Sequence, residues 1–184
     1  MMTITNLICI SAIVALCFVL TGCKRALPPG AVLFTGSGIA IIPGDDWQPM
    51  RSNVLTVGQK AICPPVLEGK GLFRLALIQV FTTGERADAQ AGVAAIQKEA
   101  ATIIGATPDS FKMEEFTTVG GLKGIHTSYE HTFNAAPGLV ISTRVHSYLF
   151  QNTKGQCVCI KYITPAEKDS DLVHQMILKT LILQ

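Results

Sequence analysis

A chain of 184 residues suits one domain and is too short for two of ordinary size. Fifteen Lys and Arg against 13 Asp and Glu leave a formal charge of +2, with no electrostatic footprint for nucleic acid. At 48% hydrophobic and 15% charged, the composition excludes a disordered or collagen-like chain. Residues 1–22 hold 16 of the apolar residues and no charge. Without them the remainder is about 44% apolar, ordinary for a soluble domain.

The apolar run from Leu7 to Leu20 is 14 residues long. A helix needs about 20 residues to cross a bilayer, so this run has the length of a signal-peptide core instead. It ends in Leu20-Thr21-Gly22-Cys23, which resembles the lipobox of bacterial lipoproteins. That resemblance implies cleavage between Gly22 and Cys23, then thioether lipidation and N-acylation of Cys23. Residues 1–6 depart from the pattern in carrying no Lys or Arg. An uncleaved anchor and an ordinary signal peptide are the competing readings. Lys24 in place of Asp implies, by the same resemblance, the outer membrane facing the periplasm where the host has one. Several acyl chains, at about 0.8 kcal/mol per buried CH₂, make such attachment effectively permanent.

Residues 23–31 are expected to form the lipidated N-terminus and a tether, since Pro28-Pro29-Gly30 cannot continue regular structure. No second linker follows, so residues 32–184 read as one globular domain. Gly38–Ile42 is a short apolar strand stopped by Pro43-Gly44-Asp45-Asp46, a turn signal. Trp47 then reads as a core plug rather than a ligand platform. Leu72–Phe81 is apolar on both faces except at Arg74 and Gln79, as in a central strand covered on two sides. Across residues 84–104 the period changes. Ala89, Val93, Ile96, Ala100 and Ile103 recur at helical spacing, and Gly105 is the expected stop.

Three segments, 121–133, 139–150 and 156–163, alternate with period two. The turns fall at Asn134–Gly138 and Asn152–Gly155. Thr164-Pro165-Ala166-Glu167 reads as the capped start of a last helix that buries Leu172, Val173, Met176 and Ile177. The order predicts an α+β fold, an antiparallel sheet with helices packed on it.

Ile41-Ile42-Pro43 ahead of Trp47, Tyr162-Ile163-Thr164, and the closing Leu181-Ile182-Leu183 after a helix resemble the PsbP-like fold. Together with the lipobox, the chain is most similar to the DcrB group of bacterial lipoproteins. The resemblance implies an α/β/α sandwich over residues 34–184 and a binding or assembly-support module without an established catalytic centre. It carries no functional residue across.

After loss of Cys9 and Cys17 and lipidation of Cys23, three cysteines remain: Cys63, Cys157 and Cys159. Cys157 and Cys159 stand two apart on a strand, which disfavours a bond between them. A bridge from Cys63 to one of them stays open beside the favoured reading of buried free thiols. There is no C-x-x-C at a helix start to support thiol exchange.

A simple hairpin at Asn134–Gly138 and a four-residue loop at Asn152–Gly155 would fix the faces of the meander. Leu139, Ile141, Thr143 and Val145 then share an apolar face with Ile125, Tyr129 and Phe133, joined by Val158, Ile160 and Tyr162. The opposite face holds His126, Ser128, Glu130, Ser142, Arg144, His146, Tyr148, Cys159 and Lys161, partly solvated. In this register His126 faces His146, Ser128 faces Arg144, and Glu130 is diagonal to Arg144. His126, Glu130, Arg144 and His146 are the candidate polar binding face. A Ser128–His126–Glu130 triad fails, because same-face neighbours on one strand stand about 6.6–7 Å apart. A metal site on His126 and His146, with Cys159, has suitable ligand types but no ligand-spacing motif.

His131 reads as a core histidine and His174 as an exposed one. Gly36-Ser37-Gly38 lacks the Lys of a phosphate loop, and Asp45 and Asp46 lack the further ligands of a calcium loop. The sequence therefore leads to a non-enzymatic envelope lipoprotein without a cofactor. It is held to the membrane at Cys23, and its domain binds or supports an envelope protein. An envelope enzyme or metal-binding protein using the His126/His146 face is the alternative.

Overall fold

The structure, a computed structural model, describes residues 26–50, 62–103, 105–107 and 109–184. Cys23 and the expected cleavage point lie outside the described residues. Strands β1 (Val32–Phe34) and β2 (Ile39–Ile41) pair with each other, and β2 also pairs with β10 (Ile182–Leu183), forming a small sheet. The main sheet has seven antiparallel strands in the order β3-β4-β5-β9-β8-β7-β6. These are β3 (Trp47–Pro49), β4 (Leu67–Gly69), β5 (Leu77–Arg86), β6 (Lys112–Thr117), β7 (Lys123–Ala136), β8 (Leu139–Gln151) and β9 (Gln156–Pro165). Helix α1 (Ala89–Thr102) covers one face of it, and α2 (Asp171–Thr180) the other. The α+β expectation holds.

Each helix packs by a short apolar stripe. Val93 and Ile96 of α1 meet Tyr129, Val145, Leu149 and Cys157. Val173 and Ile177 of α2 join Tyr148, Phe150, Val158, Ile160 and Tyr162 in the larger core, where each apolar side chain fully buried is worth about 1.5–3 kcal/mol. Trp47 is part of that core as expected, stacked on Phe73 at 5.6 Å and edge-on to Tyr162 at 6.0 Å. The Asp88 side chain caps α1 by accepting from Ala91 N at 2.9 Å.

Several local expectations are corrected. The strand expected from Leu72 begins at Leu77, because Gly71–Phe73 forms a 3₁₀ turn and Leu75 adopts φ +73° at the surface. The last helix does not start at Thr164-Pro165. Ala166–Lys168 is a separate 3₁₀ turn, and Ser170 caps α2 by accepting from Leu172 N. Leu172 points to solvent, and Val173 and Ile177 fill the core with Met176 at its margin. Helix α1 ends at Thr102, with Ile103 as its extended C-cap, ahead of Gly105. Gly105 (φ +88°) is needed instead for a close approach to β7, where a Cβ would stand 1.9 Å from the Thr132 carbonyl oxygen.

The turns decide the faces. Pairing in the β7–β8 hairpin continues to Ala136↔Leu139 through a bulge, leaving only Pro137-Gly138 as the turn. This moves the register by two residues, so faces are kept but partners change. His126 faces Tyr148, Ser128 faces His146, and Glu130 faces Arg144 directly. In the β8–β9 hairpin, Asn152 N donates to Gln156 O at 3.0 Å, closing a three-residue loop with Gly155 at φ +76°. One residue fewer in a loop reverses every side chain of the strand. Val158, Ile160 and Tyr162 therefore lie on the His126/His146 face, while Cys159 and Lys161 face α1.

Candidate functional site

Four expected residues, His126, Glu130, Arg144 and His146, come together on the face beneath α2, joined by two unexpected ones. From edge strand β6, Glu114 Oε1 accepts from His126 Nδ1 at 2.8 Å. His126 Nε2 lies 2.9 Å from His146 Nδ1, and His146 Nε2 donates to Asp169 Oδ1 at 3.0 Å. Asp169, in the connection between β9 and α2, also accepts from Arg144 Nη1 at 2.9 Å, and Arg144 Nη2 pairs with Glu130. The result is one continuous line, Glu114–His126–His146–Asp169–Arg144–Glu130.

The histidine rings are 4° from parallel with centroids 5.2 Å apart, so the 2.9 Å contact is edge to edge in nearly one plane. Tyr148 stacks on His126 at 4.7 Å and Tyr162 on His146 at 5.5 Å, clamping that plane. His174, expected at the surface, is half-buried and lies 3.0 Å from the Tyr148 hydroxyl. The face is covered at one end, where His126 is 7% exposed and Tyr148 0%, and stays partly solvated at the other, where the Arg144 and Glu130 side chains are 36% and 34% exposed.

The bond from His126 holds the Glu114 carboxyl below its ordinary range. For Asp169, burial alone would raise the value, but the bonds from His146 and Arg144 outweigh it and the net direction is down. Burial pushes His126 toward its neutral form, only partly offset by Glu114. A cavity of about 370 Å³ opens beside Arg144 and His146, with Ser110, Lys112 and Ser128 on its wall.

The other candidates separate. Ser128 is across from His146, outside the chain of contacts. Cys159 is on the opposite face and cannot join a site with His126 and His146. Among the described residues, no group of three or more His, Cys, Asp or Glu side chains is placed to hold a metal ion. Cys63, Cys157 and Cys159 are free thiols, and Cys63 packs in the core on the far side of the sheet from Cys157, which closes the question of a bridge.

A second feature went unread in the sequence. Between α1 and strands β5, β8 and β9 lies an open cleft of about 870 Å³, walled mainly by Phe81, Ala95, Ile96, Leu149 and Cys157. Lys161 reaches it with a side chain 7% exposed and donates to both Glu99 oxygens, at 2.6 and 2.8 Å. The Tyr129 hydroxyl donates to the same carboxylate at 2.8 Å. Burial pushes the Cys157 thiol up to about 11 and Cys159 up to about 12. Only the one-residue difference in the β8–β9 loop hid this arrangement, since it put Lys161 and Cys159 on the wrong face.

Comparison of the sequence with protein-family models and with curated proteins gives no match.

Proposed function

We propose that the protein is a lipid-anchored envelope module, held by Cys23, whose domain binds or supports another envelope component without catalysing a reaction. The likeness of the N-terminal segment to a lipobox supports the anchor, and the likeness to the DcrB group supports a module of this kind. One observation carries the binding role: the open, chiefly apolar cleft beside α1, of a size and character suited to receiving a partner or ligand. Its reactive groups are disarmed. Lys161 is engaged by Glu99, and burial keeps Cys157 and Cys159 as thiols.

Metabolic labelling with a palmitate analogue tests the anchor. Wild-type protein is expected to take the label and a Cys23→Ser variant to lose it; equal labelling of the two contradicts the proposal. Function in cells is expected to fail when the domain is exported without the anchor. Full function of the released domain would favour an enzyme instead.

A further inference from the structure

We propose that His126 and His146 hold one excess proton between them, making a one-proton latch that ties edge strand β6 to the connection leading into α2. The count follows from the contacts. The pair has four ring nitrogens, and three short contacts run through them, to Glu114, between the rings, and to Asp169. Two ionised carboxylates at the ends accept only, so each outer nitrogen must carry hydrogen. The inner contact then needs one hydrogen on either His126 Nε2 or His146 Nδ1. Three hydrogens on two rings are one more than two neutral imidazoles hold.

Either other state breaks something. With two neutral rings, bare nitrogens meet at 2.9 Å, or one carboxylate faces a nitrogen lone pair. With both rings charged, two N–H groups point at each other across the same gap. The surroundings favour a single extra charge. Glu114 from β6, Glu130 from β7 and Asp169 from the β9–α2 connection supply three carboxylates against the one guanidinium of Arg144 from β8. Lys112 from β6 borders the cavity beside His146, Tyr148 and Tyr162 cover the rings, and α2 contributes His174 at 5.3 Å from His126 and Asp171 in its first turn.

Protonation of either ring changes the hydrogen count at the shared contact, so the pair gains and loses protons as a unit in two steps. Taking up the second proton on acidification opens the inner contact, and losing the shared proton at high pH removes its hydrogen. The latch is closed only between the two steps. Its release frees Asp169, and with it the β9–α2 connection, from His146.

Ring-¹⁵N NMR of the wild-type protein from acid to alkaline pH tests the count. The expected spectrum shows two steps at least about two pH units apart, with one excess proton per pair between them. Both rings neutral at pH 7, or two independent steps near the ordinary value, would overturn the latch. A His146→Gln variant, able to donate and accept without a charge, should show a smaller acid-side fall in unfolding midpoint between pH 7 and 5, keeping only the part that comes from burial of His126. A His131→Gln control, on the other face of β7, should keep that fall. An unchanged fall in His146→Gln would also overturn the proposal, and the wild-type spectrum decides the matter should that variant fail to fold.

Discussion

Lys161 Nζ sits 2.6 Å from Glu99 Oε1, joining β9 to α1 where both line the cleft of about 870 Å³. The ammonium is nearly buried and is ion-paired with this carboxylate. A Glu99→Gln change leaves Lys161 and Tyr129 without an anionic acceptor. The expected cost is about 2 kcal/mol, below the 3–5 of a fully enclosed pair because the Glu99 side chain is 38% exposed. Urea unfolding followed by the fluorescence of Trp47, the sole tryptophan, measures it.

At Gly92, α1 packs tightly on the sheet. A Cβ there would stand 2.7 Å from Leu149 Cδ2 and 2.8 Å from Cys157 Sγ. Elsewhere in a helix, Gly→Ala gains up to about 1 kcal/mol in propensity. Overpacking costs about 1–3 kcal/mol, so Gly92→Ala is expected to destabilise on balance. A higher unfolding midpoint for this variant in the same urea assay would show that the helix can move away freely.

Asp169 accepts from both His146 and Arg144, and charge-assisted bonds are worth about 1.5–3 kcal/mol each before compensation. Asp169→Asn should therefore lower stability at pH 7 by about 2 kcal/mol. The pH dependence has a definite sign. Asp169 and Glu114 are held below their ordinary 3.8 and 4.5, so their contribution is present above those values and is lost as pH falls through the lower folded ones. His126, lowered from 6.5 by burial, contributes above that value and loses its contribution on acidification. Stability should thus begin to fall below pH about 6.5 and fall again below about 4.5. Asp169→Asn should flatten the second fall.

The thiols give a separate check on the packing. With Cys157 at about 11 and Cys159 at about 12, little thiolate exists at pH 7. Iodoacetamide should modify Cys63, Cys157 and Cys159 slowly in the folded protein and rapidly in urea, with no change on adding reductant. Fast labelling of the folded state would contradict the burial described for β9.

Much of the fold was legible because the meander alternates cleanly and α1 carries a helical stripe. The wrong face for β9 came from a single loop residue. Asn152 Oδ1 accepts from Lys154 N and Gln156 N, which tightens the loop to three residues. Cys157, Cys159, Lys161 and Ile163 alternate with Val158, Ile160 and Tyr162, so both faces of β9 are buried and the pattern favours neither. Edge strand β6 was missed because only Phe116 is buried in Lys-Met-Glu-Glu-Phe-Thr. With it went Glu114, the outer end of the histidine line. Asp169 was invisible for another reason: it lies in a connection, and only the placement of α2 brings it to His146.

The binding role of the α1 cleft is tested most directly by in-cell photocrosslinking from Ala95, which lines it, against Leu172 on the exposed side of α2. A discrete adduct is expected from Ala95, absent from Leu172 and lost when Cys23→Ser releases the domain from the membrane. No adduct from Ala95, or the same adduct from both positions, would contradict the proposal.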